Sequence, residues 1–435
     1  MPYSLQQALN QRFETLDNTY PFYTTRQCAL KYFKAQGLPT LKDENYKYTP
    51  ISSFLTAHFD WSQLATLVRP IPQETTSVCY HNMDAYHVVL LNGQVSNKHT
   101  QLGSHEQFMQ VLTFQEAHQR QHHAFLEHFA QHAQSNKDAF TALNTALFEK
   151  GLFIHIADHA IVDKPLVLYH CTTPHTQPSM THPRLLIVVG KHSQTSIINT
   201  WQTTGFTNAV TEVVLQDNAR MDYYTLQMHL DSQSCQVNTT QCYQAQQSTL
   251  NTYTFTWSGA MVRNNLNSMI DAPYSETNMY GLYCLRQQQH VDNCTTVDHR
   301  KPHTYSHELY KGIMMEKSTG VFNGKIYVRA EAQKTNALQT NNNLILSRHA
   351  TLHTKPQLEI WADDVKCSHG ATTGQLDEEQ IFYLRTRGVQ EDMARCLLQQ
   401  AFSNEVIDKV PLATLRKDLQ TNLAALQSKQ YFDQA

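Results

Sequence analysis

One stretch of the chain joins soft-ligand and acid–base chemistry: Lys366, Cys367, Ser368 and His369 stand in consecutive positions. On an extended backbone side chains alternate, so Cys367 and His369 project to the same face. Lys366 and His369 are placed to lower the thiol pKa and favour the thiolate, the form that attacks, accepts persulfide sulfur or binds a soft metal. From the residues alone, a buried structural cysteine beside a surface histidine is the plainer reading. One Cys and one His are also too few for a closed zinc or iron–sulfur site, so other ligands would have to come from elsewhere, another subunit included.

Two further groups have ligand-type residues. In HVDNCTTVDHRKPHTYSH, His290, Asp292 and Cys294 face one way on a strand, as a metal site requires, followed by Asp298, His299, His303 and His307. Inward polar residues on stacked strands also form satisfied ladders, and Pro302 interrupts the run, so the structural reading is favoured. In HQRQHHAFLEHFAQHAQ, His118 and His122, then His128 and His132, are spaced i,i+4 and would share a helix face. The glutamate of HExxH is missing, since Phe129 follows His128, and a solvated polar face is expected. No GxxxxGK[ST], helix-opening GxGxxG or GxSxG is present, so ATP hydrolysis and a serine nucleophile elbow are not expected of this chain.

The elements that must position these residues have visible texture. Before Cys367, Leu358, Ile360 and Ala362 alternate with Gln357, Glu359 and Trp361, as in a strand. After it comes a helix that Asp377 can cap, with Glu378 and Glu379 in its first turn and Gly388 suited to a left-handed stop. From about Gly151 onward short alternating runs are separated by turn residues rather than helices, which argues against βαβ units. The markers Met221, Thr249, Asn278, Glu308 and Ala337 recur at 28 to 30 residues, with two strand-like runs per interval. That pattern describes a coil of stacked strands, in which Asn341, Asn342 and Asn343 can hydrogen-bond along a parallel ladder. A β-sandwich would want more hairpin dipeptides than Asn323-Gly324 and its few companions.

Three regions follow: a mostly helical 1–145, a β core over 146–373 and a helical 374–435. In the first, Leu5, Leu9 and Phe13 recur at helical spacing, Phe108, Val111, Leu112 and Phe114 suggest another helical face, and His87 to Asn92 reads as a strand before an Asn92-Gly93 turn. In the last, Met393, Cys396, Leu397 and Ala401 line one helix, and Leu412, Leu415, Leu419, Leu423 and Leu426 stripe another. Packing of that stripe onto the preceding helices is the expected outcome, with a partly free docking stripe as the alternative.

The 435 residues carry a formal charge of −3, no run of about 20 apolar residues and no secretory start, so nucleic acid, an anionic membrane surface and a membrane span are not expected and the cytoplasm is. Nine cysteines, none in a CxxC pair, fit reduced thiols rather than a disulfide framework.

At these residues the chain resembles a known family. KPQLEIWADDVKCSHGATTGQLDEEQIFYLRTRG is similar to the signature of the SufB/SufD family of iron–sulfur cluster assembly proteins, on its SufD side. The likeness extends through YKGIMMEKSTGVFNGKIYV, QKTNALQTNNNLILS, MVRNNLNSMI, DNCTTVDH and FTALNTALFEKGLFI to GLPTLKDENYKYT, where Tyr46 replaces the family's usual tryptophan. CSHGA stands where the SufB side has a glutamate-histidine-glutamate run, and no N-terminal cysteine cluster is present. The resemblance implies a mainly β fold, a right-handed parallel β-helix between helical terminal regions. It implies a non-catalytic scaffold subunit that pairs with SufB through the β-helix, in the SufBCD complex. SufC, the ATPase, would dock on the C-terminal helices at the FYLRTRG segment: Phe382, Tyr383, Leu384, Arg385, Arg387 and Gly388. Cys367 and His369 match family positions at the SufB interface implicated in nascent cluster formation. A transient iron–sulfur cluster in the complex is implied, with no cofactor stably bound to this chain alone, and an interface made for SufB leaves room for a homodimer in isolation.

Three rivals remain from the residues. They are a purely structural scaffold with Cys367 and His369 inert, a β-helix enzyme acting on polysaccharide, and a metal-dependent hydrolase built on the His290 to His307 group.

Overall fold

A computed structural model describes residues 5–15, 21–59, 83–105, 107–172 and 180–432. Within them two long parallel sheets face each other across a narrow lumen. The front sheet starts at Tyr86–Leu91 and ends at Lys366–Gly374; the back sheet starts at Gly151–Ile156 and ends at Thr351–Ile360. The chain alternates between them, so each coil lays one strand on each sheet. The expected stack of coiled strands is what forms. Met221, Leu250, Thr277, Ser306, Ala337 and Cys367 are register partners in one column, at intervals of 29, 27, 29, 31 and 30 residues. The markers read from sequence fall within two residues of that column.

Strands hold this arrangement because both of their faces are buried. Phe206–Leu215, for example, is buried along its whole length. Its inward side chains join an aliphatic lumen core that includes Leu152, Ile154, Leu168, Ile187, Ile197 and Val213. Where the lumen is polar it is hydrogen-bonded: Gln227 donates to Gln236 at 3.0 Å and to Asn264 at 2.9 Å, and Asn264 donates to Asn293 at 3.0 Å. The asparagine run bonds along the ladder at two positions, Asn342 accepting from Thr372 at 2.9 Å and Asn341 donating to Tyr310 O at 3.2 Å, while Asn343 donates to Asn341 at 2.7 Å within its own strand.

Six successive corners from back to front sheet carry a non-glycine residue in the left-handed region: His192, Asn218, Gln247, Tyr274, His303 and Lys334, with φ between 56° and 62°. The cost of that conformation is offset by a second ladder. The His192 N–H donates to Asp217 O, Asn218 to Gln246 O, Gln247 to Pro273 O, Tyr274 to His303 O, His303 to Gln333 O and Lys334 to Asp364 O, all within 2.7–3.2 Å.

Helices cover the outside. Over the front sheet lie Glu391–Ile407 and Ala413–Phe432, whose Leu415, Leu419, Leu423 and Leu426 pack on Tyr224, Phe255, Leu282 and Ile313. The leucine stripe is therefore packed, but onto the sheet as well as onto Val406 and Ile407 of the preceding helix. Over the back sheet lie Tyr23–Gln36 and Ala139–Leu147, and the Asn144 amide ties the latter down by donating to Pro183 O and Asn208 O, each at 2.8 Å. Residues 83–113 are not wholly helical: they add Tyr86–Leu91, Gln94–Val95 and Met109–Thr113 to the sheets. The hairpin at Asn92-Gly93 forms with both residues at positive φ. Phe108, Val111 and Leu112 do not make a helical face, because Thr113 and Glu116 form a capping box and the helix begins only at Phe114. Eight cysteines are free thiols, and Cys79 lies outside the described residues.

Candidate functional site

The two ends of the stack differ. At the first end each sheet is closed by an antiparallel strand, Gln94–Val95 on Tyr86–Leu91 and Met109–Thr113 on Gly151–Ile156. At the last end Thr351–Ile360 and Lys366–Gly374 are terminal in their sheets, with one backbone edge each left unpaired. Neither has a fully buried side chain, unlike every earlier long strand: Thr351–Ile360 is mostly half-buried and Lys366–Gly374 mostly exposed. A long unpaired edge is a template for another strand.

Cys367 and His369 sit on that last strand and share a face, as alternation requires. Their register partners Ala337 and Gln339 are buried and point into the lumen, so both residues lie over its open mouth. Cys367 is half-buried against the lumen core, and His369 is exposed. The expected activation of the thiol is not found. Burial pushes the Cys367 thiol above its ordinary pKa, a hydrogen bond with the Ala337 backbone opposes this, and neither Lys366 nor His369 acts on it. The lysine is exposed and on the opposite face of the strand, where its charge is screened.

Beneath His369 the same column continues inward through Gln339 to Glu308. Glu308 is 0% exposed and Gln339 1%, and the Gln339 Nε2 donates to Glu308 Oε2. Burial holds the Glu308 carboxyl up at about 7. From the sequence, Glu308 served only as a spacing marker. The signal that it faces inward was the alternation of Ser306, Glu308 and Tyr310 along YSHELYKGIM.

The other candidate groups are structural. His290, Asp292 and Cys294 do face one way, onto the outer surface of the back sheet, and what fills their site is protein. Arg263 pairs with Asp292, Thr49 donates to Asp292 at 2.5 Å and lies 3.1 Å from His290 Nε2, and the Arg263 guanidinium stacks 3.9 Å from the Tyr46 ring. The aromatic ring at position 46 is thus the lid of a buried ion pair. His299 bonds Thr304 and Ser306 inside the lumen, Asp298 binds Arg300 and Arg329, His303 is a corner residue, and His307 meets the Tyr280 ring. His118 and His122 are not on one helix, since Phe114–Gln119 ends before His123–His128 begins. His128 and His132 do approach, at 3.3 Å, but they pack by Glu212 and Tyr243 instead of forming a solvated face. Among the described residues, no three His, Cys, Asp or Glu side chains are grouped to hold a metal.

A second exposed surface lies beyond the mouth. Asp377 caps Glu378–Thr386 by accepting from the Glu379 N–H at 2.9 Å, and Gly388 follows at φ 87°, as read from sequence. Ile381 anchors that helix, while Phe382 and Tyr383 are 67% and 57% exposed, with Met393 and Leu397 exposed on the next helix. Arg385 pairs with Glu391 at 3.2 Å and the Arg387 guanidinium lies 5.2 Å from the Tyr383 ring.

Residues 171–402 match the family model for the SUF system FeS cluster assembly, SufBD core domain, and residues 8–168 match that for the SufBD protein N-terminal region. The chain belongs to the SufBD family. It is 31% identical over 410 residues to an iron–sulfur cluster assembly SufBD family protein of Synechocystis, covering 90% of this chain and 88% of the relative. It is 28% identical over 381 residues to the iron–sulfur cluster assembly protein SufD of Escherichia coli (86% and 85%), and 25% over 291 residues to SufD of Bacillus subtilis (64% and 64%). Among the described residues, no helix is long and apolar enough to cross a membrane.

Proposed function

We propose that this SufBD-family chain is a non-catalytic scaffold in iron–sulfur cluster assembly, and that it works at the open mouth of its solenoid. The observation that carries this reading is the coincidence, at one end only, of two unpaired parallel edges with an inward-facing thiol and imidazole between them. A SufB-like partner with a similar open end would pair strand on edge, covering the mouth and supplying the ligands that Cys367 and His369 lack. Iron and sulfide are cargo here. His369 offers an imidazole lone pair to iron, while Cys367, whose thiol burial pushes above its ordinary pKa, gives up its proton to solvent as its sulfur binds iron. The exposed Phe382, Tyr383, Met393 and Leu397 form the apolar patch on which the ATPase of the complex docks, flanked by Leu384, Arg385, Arg387 and Gly388. The helix beneath is tied to the solenoid by Lys311, which donates to Phe402 O at 3.0 Å and pairs with Glu405. ATP-driven movement of the helices would therefore pull on the front sheet and open the mouth.

A purely structural role is favoured by one observation, the packing of Cys367 on the lumen core. The test separates the two readings. In the assembled complex, Cys367→Ala and His369→Ala should each lower cluster yield at least tenfold, measured anaerobically as iron and sulfide per complex, with ATP hydrolysis unchanged. Undiminished yield in both variants leaves only the structural role.

A further inference from the structure

The column under the mouth contains a buried acceptor that nothing satisfies. Gln339 Oε1 lacks a hydrogen-bond partner, although its side chain is shut away from water. An unsatisfied buried acceptor is costly and persists where something else is arranged to meet it. The Gln339 amide is tightly placed. Its Nε2 is committed to Glu308 Oε2. On the facing sheet, a Cβ at Gly324 would overlap the amide, so glycine alone leaves it room. With Nε2 turned to Glu308, Oε1 is the free end.

One rung further out in the same column stands His369, whose exposed ring makes no hydrogen bond among the described residues and is free to turn. Adjacent rungs of a sheet are about 4.8 Å apart, within reach of an imidazole N–H to an amide oxygen below it. Of its neighbours on the edge strand, Ser368 and Gly370 face away and Cys367 stands over Ala337. His369 is therefore the side chain in register to reach Gln339 Oε1.

We propose that Glu308 and Gln339 are positioning residues for His369: the carboxyl group fixes the amide, the amide oxygen accepts one imidazole N–H, and the other ring nitrogen is presented as a lone pair to the open mouth. This rests on the reading of His369 as an iron ligand, and it adds two buried residues to that site. A histidine that ligates a metal usually gives its second N–H to a fixed acceptor, which sets its tautomer and its aim. The relay here runs through an amide because the carboxyl group lies two rungs deep.

The experiment reads the tautomer directly, without iron. Full-length chain labelled with 15N-histidine is studied at pH 8 by long-range 1H–15N correlation, the His369 signals being identified by their loss in His369→Ala. Wild type should show one predominant His369 tautomer. In Glu308→Gln, which preserves shape, the second amide can turn Gln339 over and present N–H instead of oxygen. In Gln339→Leu the acceptor is gone. Both should shift the tautomer ratio by about fivefold or more, the worth of one ordinary hydrogen bond. An unchanged ratio in Glu308→Gln overturns the relay even if Gln339→Leu fails to fold. That outcome would leave the ligand role of His369 standing, because His369→Ala tests it separately by cluster yield.

Discussion

Replacing Glu308 by glutamine should make the protein more resistant to alkaline conditions, for a reason that can be worked through. The carboxyl group is fully buried, and burial raises its pKa from 4.5 to about 7, against weaker opposing hydrogen bonds. Below the unfolded value both states hold the proton and the group costs nothing. As pH rises, the unfolded chain releases its proton first, while the folded chain keeps it until about 7, so the native state loses stability across that window. A tenfold difference in proton affinity between the two states is worth about 1.4 kcal/mol, so roughly 2–3 kcal/mol should disappear between pH 5 and pH 8. Glutamine keeps the shape without titrating. The difference in unfolding free energy between Glu308→Gln and wild type should therefore grow by that amount over the same interval, which is about 3 °C in Tm for a chain of this size. Urea unfolding of both proteins at the two pH values, followed by near-ultraviolet circular dichroism, measures it. A difference that stays flat with pH would mean that Glu308 ionises freely, and the neutral, desolvated column under the mouth would be wrong.

Two other outcomes follow from the packing. Arg263→Met removes the partner of Asp292 on the outer face of the back sheet and should cost about 3–5 kcal/mol in urea unfolding, since a buried carboxylate is left with only Thr49. Leu419→Ala should cost about 2–5 kcal/mol by the same measurement and speed amide exchange in Ala413–Phe432, because Leu419 is fully buried between that helix and the front sheet.

How much was legible depended on whether the signal was local. The coil repeat showed because each turn must return to the same column, so strand-like runs recur even though no residue type does. The caps at Asp377 and Gly388 showed because their chemistry lies within a few residues. The strand at Met109–Thr113 is hard to tell from a helix in sequence, since Phe108, Val111 and Leu112 at mixed spacing fit either period; the capping box at Thr113 and Glu116 is the local signal that starts the helix only at Phe114. At the site, alternation placed Cys367 and His369 on one face, but sequence neighbours misled about the thiol's charge. Lys366 is adjacent in the chain and on the other face, whereas the groups that act on Cys367 are the lumen core and a strand 30 residues earlier. The Glu308–Gln339 contact was invisible for the same reason, because its register comes from folding. The His290, Asp292 and Cys294 group matched its expected face, yet only the folded chain reveals that an arginine from the neighbouring coil and a threonine from 241 residues away already occupy it.

The unequal ends of the stack have a consequence for assembly. A solenoid with sticky edges at both ends would polymerise head to tail without limit. Here Gln94–Val95 and Met109–Thr113 run antiparallel to their neighbours, so that end offers no parallel edge to match the mouth, and a union through the mouth joins like end to like end. The choice of mate is then left to whatever side chains line a single seam.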